Sequence, residues 1–169
     1  DVPIVIIDFG SLSSDISIFD KNILVTGTVQ GGGSVFTESI RAKLGVTQGE
    51  ANIIKNKYGL GLSKKQKEIK QALEPTLQQI VKEIRRMIRY YEERYGSDRP
   101  ITQVIAIGGG ANMPGLAEYL TDALRIAVRV SEPWQYLGGK LTLPSGADKP
   151  MYSTVAGLSL TPSKAALKS

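Results

Sequence analysis

The stretch IVIIDFGSLSS combines an apolar run with the residue types that bind phosphate and magnesium. The run ends at Asp8, and the chain turns at Gly10 into serines. Backbone N–H groups in a tight turn of this kind can surround phosphate oxygens. A carboxylate can hold Mg²⁺ through water, because this ion usually keeps several of its waters. The alternative is a hairpin turn in which Ser11, Ser13 and Ser14 satisfy only their own backbone.

The stretch QGGGS directly precedes a predicted helix. Glycines at a helix start can leave N–H groups and the positive end of the helix dipole facing an anion. Gly32 is the residue of this stretch that we expect at such a site. The alternative is a flexible loop in which Ser34 caps the helix.

The stretch IGGGAN places Gly108, Gly109 and Gly110 at the end of an apolar run. Glycines at the carboxyl end of a strand let a flat ring or a phosphate lie against the backbone. The stretch is an incomplete dinucleotide-binding fingerprint, because Met113 occupies the position of the third glycine. A close strand–helix packing turn is the alternative, and it explains one glycine better than three.

The composition excludes several kinds of chemistry. The chain of 169 residues is 41% hydrophobic and 22% charged, as in ordinary globular proteins. It contains no Cys and no His, which excludes disulfides, cysteine zinc sites and a Ser-His-Asp triad. Much of the net charge of +5 comes from the segments KKQKEIK and KEIRRMIRYYEER, whose interleaved acidic residues favour solvated helix faces over a nucleic-acid groove. No apolar run reaches membrane-spanning length. Because the chain starts within a predicted strand and without Met, we expect it to be part of a longer protein.

The hydrophobic periodicity predicts a mixed α/β protein. Residues 3–29 predict three consecutive strands joined by short turns, and therefore an antiparallel meander. A helix should end at Gly45, and a capping box at Thr47 should start the next helix, which runs to about Tyr58. A second capping box at Ser63 should start a long helix, with a kink or a restart at Pro75.

The second half of the chain predicts alternating strands and helices. Residues 103–108 and 127–131 should be strands. Pro114 suits the first turn of the helix between them. Residues 137–152 have a loop composition, 153–160 can form a last helix, and 161–169 are expected to be a frayed tail. A stripe on the long helix is predicted to be core, and it includes Ile80, Ile84, Ile88 and Tyr91.

Two of these motifs, in this order, resemble the second half of the actin-like ATPase superfold. IVIIDFGSLSS resembles its phosphate 2 motif, and VIAIGGGA resembles its adenosine motif. The stretches GGSVFTESIRAKLGVTQGEANIIK and IGGGANMPGLAEYLTDALRIAVRVSEPW narrow the resemblance to the PilM family of type IV pilus assembly proteins, over most of residues 4–160. The related FtsA family of cell-division proteins is the nearest alternative.

The resemblance implies the second of two ribonuclease-H-like lobes that hold a nucleotide between them. This lobe would be a three-layer α/β core whose mixed sheet has an antiparallel three-strand edge. The strands at 103–108 and 127–131 would run parallel to the first strand. Its core subdomain would comprise residues 1–31 and 75–160, a small, mostly helical subdomain would be inserted at 32–74, and 161–169 would be a tail. The first lobe would be absent from this chain.

The resemblance also implies the site residues. Asp8 and Gly10 would face magnesium, held through water, and the β- or γ-phosphate, and Ser13 or Ser14 would stand where the family usually has Thr. In the inserted subdomain Lys55 matches the family, but Asn52 replaces an acidic residue, and its amide would bind a ribose hydroxyl less strongly. The predicted nucleotide-binding residues are Asp8, Gly10, Ser11, Ser13, Ser14, Gly32, Asn52, Lys55, Gly108, Gly109, Gly110 and Asn112.

The function implied by the resemblance is that of an ATP- or ADP-binding cytosolic scaffold with Mg²⁺. Such a protein would reach the inner membrane through the N-terminal segment of a PilN-like partner, in a groove that lies mostly in the first lobe. Self-association stays open, and we expect neither nucleic-acid binding nor catalysis by this fragment alone. The alternatives are a sugar-kinase-like enzyme of the same superfold and an oxidoreductase fragment with Glu132 on a ribose. The antiparallel opening meander argues against the oxidoreductase.

Overall fold

A five-stranded mixed sheet organises the fold. The computed structural model describes residues 2–136 and 149–160. The strands are β1 (Ile4–Phe9), β2 (Ser13–Asp20), β3 (Asn22–Gln30), β4 (Gln103–Ile107) and β5 (Ala127–Val130). The helices are α1 (Gly33–Leu44), α2 (Gln48–Lys57), α3 (Gln66–Tyr95), α4 (Leu116–Leu124) and α5 (Ser153–Leu160), with short 3₁₀ turns at Gly109–Asn112, Pro133–Tyr136 and Lys149–Tyr152.

The strand order is β3-β2-β1-β4-β5. The first three strands pair antiparallel, whereas β4 runs parallel to β1 and β5 runs parallel to β4. Alternation along β1 buries Val5, Ile7 and Phe9 completely on one face. The predicted antiparallel three-strand edge and the two parallel strands are therefore confirmed.

The long helix α3 covers the buried face of the sheet. Its stripe is core as predicted, because Ile80 and Ile84 are fully buried and Tyr91 nearly so, while Ile88 is partly buried against them. Met87, which the prediction missed, is also buried. Helix α4 lies beside α3 on the same face and adds its own buried leucines to the same hydrophobic cluster.

One predicted helix start is confirmed and another is wrong. Thr47 and Glu50 form the predicted capping box at the start of α2. Ser63 does not cap α3, which begins three residues later after Lys65 and without a side-chain cap. The Oγ of Ser63 is buried without a hydrogen-bond partner among the described residues, and the side chain of Gln66 donates to the carbonyl of Leu60 instead.

The predictions at the two prolines have different outcomes. Helix α3 continues through Pro75 for 30 residues in all, so it does not restart there, and the kink that was the other expectation stays a prediction. Pro114 lies before α4 rather than in its first turn, because Gly115 precedes the helix with a φ of 77°. The carbonyl of Pro114 accepts a hydrogen bond of 2.7 Å from the N–H of Leu60.

The remaining predictions concern the C-terminal part and membrane spans. The helix predicted at 153–160 is present as α5. The predicted tail at 161–169 and most of the predicted loop at 137–152 lie outside the described residues. None of the helices in the described part of the chain is both long enough and apolar enough to cross a membrane.

Candidate functional site

A cleft of about 430 Å³ lies where the first hairpin turn, the start of α1 and the glycine turn after β4 meet. It forms because β1 and β4 are parallel neighbours, with Asp8 opposite Ile107, so that the turns after both strands lie at the same edge of the sheet. This edge, at the carboxyl ends of the strands, is where open α/β sheets bind ligands. The cleft is lined by Asp8, Phe9, Gly10, Ser11, Gly33, Ser34, Lys55, Gly108, Gly109, Gly110, Met151 and Thr154.

The three glycines after β4 have different reasons to be glycine. Gly108 has a φ of 83°, and a β-carbon there would collide with Oδ1 of Asp8. A β-carbon at Gly110 would come within 2.9 Å of the Cβ of Phe9. At Gly109 a β-carbon would meet only the Sδ of Met151, at 3.8 Å, and φ lies outside the left-handed region. Packing therefore explains Gly108 and Gly110, whereas Gly109 is exposed to the cleft and no contact of the described chain requires a glycine there.

Two carboxylates lie side by side next to the cleft. Asp8 is directly opposite Asp15 on the antiparallel β1–β2 pair, so both side chains are on one face. Partial burial raises the pKa of Asp8, and the negative charge of Asp15 raises it further. The hydroxyl of Thr28 donates to Asp15 at 2.6 Å. A cation near Asp8 would relieve this repulsion.

The start of α1 differs from the prediction that QGGGS offers free N–H groups to an anion. The N–H of Gly33 donates to the carbonyl of Gly10 at 2.9 Å, and that of Ser34 donates to Ser11 at 2.8 Å. The hydroxyls of Ser11 and Ser34 are also hydrogen-bonded, at 2.7 Å. The first two N–H groups of α1 are thus bound to the hairpin turn. Ser34 is not the N-cap of α1, which is Gly32.

Lys55 reaches the cleft from α2. Its Nζ donates to the carbonyl of Gly33 and to the hydroxyl of Thr37, both at 3.0 Å. Burial lowers the pKa of Lys55. Because an ammonium group has three donors, one remains for a group in the cleft.

Five predicted site residues do not line the cleft. Ser14 is fully buried, and its hydroxyl donates to the carbonyl of Gly31 at 2.5 Å. Gly32 is covered by the hairpin turn, because a β-carbon there would lie 2.5 Å from the carbonyl oxygen of Gly10. The other three are Ser13 at the start of β2, the exposed Asn52 on α2, and Asn112, whose Nδ2 is buried without a hydrogen-bond partner in the described chain.

The structure adds six residues that the sequence argument did not assign to a site. Asp15 lies beside the cleft, and the five others line it: Phe9, Gly33, Ser34, Met151 and Thr154. Asp15 carries a readable signal, since strand alternation and a short hairpin predict its pairing with Asp8. Met151 and Thr154 carry none, because they come from a distant 3₁₀ turn and from α5.

The residues that line the cleft suit a nucleotide better than a metal ion coordinated directly by side chains. It combines an exposed glycine backbone, a lysine, hydroxyls and one partly buried carboxylate. Within residues 2–136 and 149–160, no group of three or more His, Cys, Asp or Glu residues could hold a metal ion. A hydrated Mg²⁺ needs few protein ligands, and Asp8 could bind it through water.

Several solved structures share this fold at low sequence identity. A PilM-PilN type IV pilus biogenesis complex is 22% identical with a TM-score of 0.74, over 96% of this chain and 47% of that one. MreB 5 of Spiroplasma citri bound to AMPPNP is 16% identical with a TM-score of 0.69, over 99% and 54%. The ethanolamine utilization protein EutJ from Carboxydothermus hydrogenoformans is 19% identical with a TM-score of 0.60, over 94% and 49%.

These similarities define the fold and how much of it the chain contains. The chain has the actin-like ATPase fold and spans about half the length of the solved structures it matches. No curated protein matches the sequence. The family profile of the type IV pilus assembly protein PilM matches residues 1–161. The chain therefore belongs to the PilM family of type IV pilus assembly proteins.

Proposed function

We propose that this chain is the second lobe of an ATP-binding, actin-like scaffold of type IV pilus assembly. In the complete protein the nucleotide would lie in the cleft between this lobe and a first lobe. The observation that carries the proposal is Gly109, which faces the cleft with only the Sδ of Met151 within 4 Å of a β-carbon position. A glycine that packing does not require is explained if the adenosine lies against its backbone.

The other residues of the cleft would contact different parts of the nucleotide and its Mg²⁺. Asp8 would hold hydrated Mg²⁺, and Gly10 and Ser11 would approach the β- or γ-phosphate. Lys55 would use its remaining donor on the ribose or the phosphates. Gly108 and Gly110 would shape the glycine turn. Ser14, Gly32 and the buried amide of Asn112 would support the site by packing and would not contact the nucleotide.

The proposed domain division follows the same family pattern. Residues 1–31 and 75–160 would be the core subdomain, and 32–74 the inserted helical one. The partner would be a PilN-like inner-membrane protein, since a structure of similar fold is a PilM-PilN complex. The protein would be cytoplasmic and would reach the inner membrane through that partner.

Calorimetric titration of the full-length protein with Mg·ATP tests the proposal. Gly109→Val should weaken binding by about tenfold or more, which corresponds to about 1.4 kcal/mol, with an unchanged melting temperature. Gly49→Val is the matched control, because a β-carbon at Gly49 would meet no described residue within 4 Å and Gly49 lies on α2, away from the cleft. Its affinity should equal that of the parent.

Two results would contradict the proposal in different ways. No ATP binding by the parent protein would remove the nucleotide function. If folded Gly109→Val binds ATP as tightly as the parent protein, the nucleotide function stands, but the adenosine does not lie against Gly109. For the 169-residue chain alone we expect weak binding, because the first lobe would supply much of the phosphate contact.

A further inference from the structure

The positive charge of the chain is concentrated at one corner of the fold, where α2 ends and α3 begins. Residues 51–71 contain six lysines and one glutamate, a net charge of +5 that equals the net charge of the whole chain. One of the six, Lys55, is turned toward α1. The other five are exposed and form no salt bridge within the described residues; they are Lys57, Lys64, Lys65, Lys67 and Lys70.

The same corner exposes large apolar side chains. Leu62 is 93% exposed, more than any other large apolar residue in the described part of the chain. Ile53 is 62% exposed, and Tyr58 is partly exposed with the Nζ of Lys57 at 5.4 Å from its ring centre. A single exposed leucine needs no explanation. Three such side chains among five exposed lysines make an amphipathic surface, which we name the lysine corner (residues 53–70).

The lysine corner also contains an apolar depression. A pocket of about 400 Å³ lies between the end of α2 and the start of α3, and its walls include Ile54, Tyr58 and Ile69. Lys64 and Lys65 line the same pocket. An apolar surface with cations around it suits a partner that is anionic at its surface and apolar just beneath.

We propose that the lysine corner docks directly on an anionic lipid bilayer. The negative surface potential of such a bilayer attracts juxtamembrane lysines, each worth about fivefold in binding. Leu62 would enter the acyl boundary, and the amphipathic ring of Tyr58 would lie at the headgroup level. This contact is independent of the nucleotide and adds to the membrane recruitment through a partner protein.

A bilayer fits these observations better than an acidic protein does. A protein partner would need a dedicated pocket for Leu62 together with several correctly placed carboxylates. A bilayer provides an anionic surface and an apolar layer at the depth of one side chain. Glu118 and Asp122 line the neighbouring cleft between α3 and α4, which Leu62 also borders. Their repulsion from anionic lipid orients the protein with the α2 side of the corner toward the bilayer.

Vesicle sedimentation of the full-length protein, without its partner, tests the proposal. The vesicles are an equal mixture of phosphatidylcholine and phosphatidylglycerol, or phosphatidylcholine alone. The protein should sediment with the mixed vesicles and not with the neutral ones, and high salt should release it. The double variant Lys64→Glu/Lys65→Glu should bind at least about 25-fold more weakly, because it removes two contributions of about fivefold each. The control Lys43→Glu/Lys82→Glu makes the same charge change at exposed lysines elsewhere. Its binding to the mixed vesicles should be weakened much less.

A second pair of variants tests the apolar contribution. Leu62→Ser should weaken vesicle binding severalfold, whereas Leu158→Ser, at another exposed leucine, on α5, should not. ATP affinity and melting temperature should be unchanged in all variants, which separates this proposal from the nucleotide site. Absence of binding to mixed vesicles, or equal losses in both lysine pairs, would overturn it. If the parent ignores vesicles but Lys64→Glu/Lys65→Glu loses a PilN-like partner, the corner is a protein interface and the bilayer assignment is wrong.

Discussion

The backbone of Gly108 lies against the carboxylate of Asp8. No β-carbon fits between them, because it would collide with Oδ1 of Asp8, and Gly108 has a φ of 83° that side chains other than glycine rarely adopt. The glycine turn after β4 and the aspartate at the end of β1 are therefore held together by direct packing. The position of one determines the position of the other.

The first prediction follows from this contact. Gly108→Ala should reduce the free energy of unfolding by at least about 1–3 kcal/mol, the cost of a strained backbone conformation. Gly109→Ala is the matched control, and it should be neutral or stabilise by up to about 1 kcal/mol, because its φ tolerates a side chain. Urea denaturation of both variants measures the difference. Equal stabilities would show that the turn can rearrange around Asp8.

The second prediction concerns the helix that covers the sheet. Ile84 is fully buried on α3, so Ile84→Ala should destabilise the protein by about 2–5 kcal/mol. Arg89→Ala, at an exposed position on the same helix, should change stability by no more than about 0.5 kcal/mol. A loss at Ile84 as small as that at Arg89 would mean that this face of α3 is not in the core.

The third prediction concerns Tyr119, whose hydroxyl donates to Glu74 at 3.1 Å. Burial, followed by the charge and the hydrogen bond of Glu74, raises the pKa of Tyr119 to about 12. In Glu74→Gln the pKa should fall but stay above 10.0, because burial is the larger cause. Carbon-13 NMR of labelled tyrosine rings measures this pKa, and a value at or below 10.0 would show that Glu74 is the main cause.

The same shift has a consequence for stability against pH. The pKa of Tyr119 is raised in the folded state. Its neutral hydroxyl therefore contributes to the free energy of unfolding below pH 10.0, the usual pKa, and this contribution is lost as the pH rises toward about 12. Tyr119→Phe should lack this loss. Denaturation curves of both proteins across that pH range provide the comparison.

The elements that could be predicted are those specified by local sequence. Alternating residues such as Val5 and Ile7 predict their own burial, because strand side chains alternate between faces. The Thr47–Glu50 capping box needs only residues within one turn of each other, so it too was readable. The parallel strand pairs came from the resemblance to a known superfold rather than from any local pattern.

Contacts of the loop around Leu60 accompany both wrong helix starts. Ser63 has the right neighbours for a capping box, but Gln66 binds the carbonyl of Leu60 instead. Pro114 has the right position for a first helical turn, but its carbonyl is bound by the N–H of Leu60. The first contact joins residues only six positions apart, whereas the second joins the two halves of the chain, which no local sequence pattern connects.

The candidate site shows the same division. The residues of both turns could be identified from the sequence, because glycine and aspartate after apolar runs are local features. Residues 10–11 approach residues 32–34 closely, and this approach binds the start of α1 to the first turn. The burial of Ser14, which donates to Gly31, belongs to the same contact. This approach depends on how α1 leaves the sheet, which composition does not encode.

The hydrogen bonds from Gly33 and Ser34 to Gly10 and Ser11 make the hairpin turn and α1 one mechanical unit. Lys55 extends this unit to α2 through its bonds to Gly33 and Thr37. We therefore expect a ligand that shifts the turn at the cleft to shift α1 and α2 together with it.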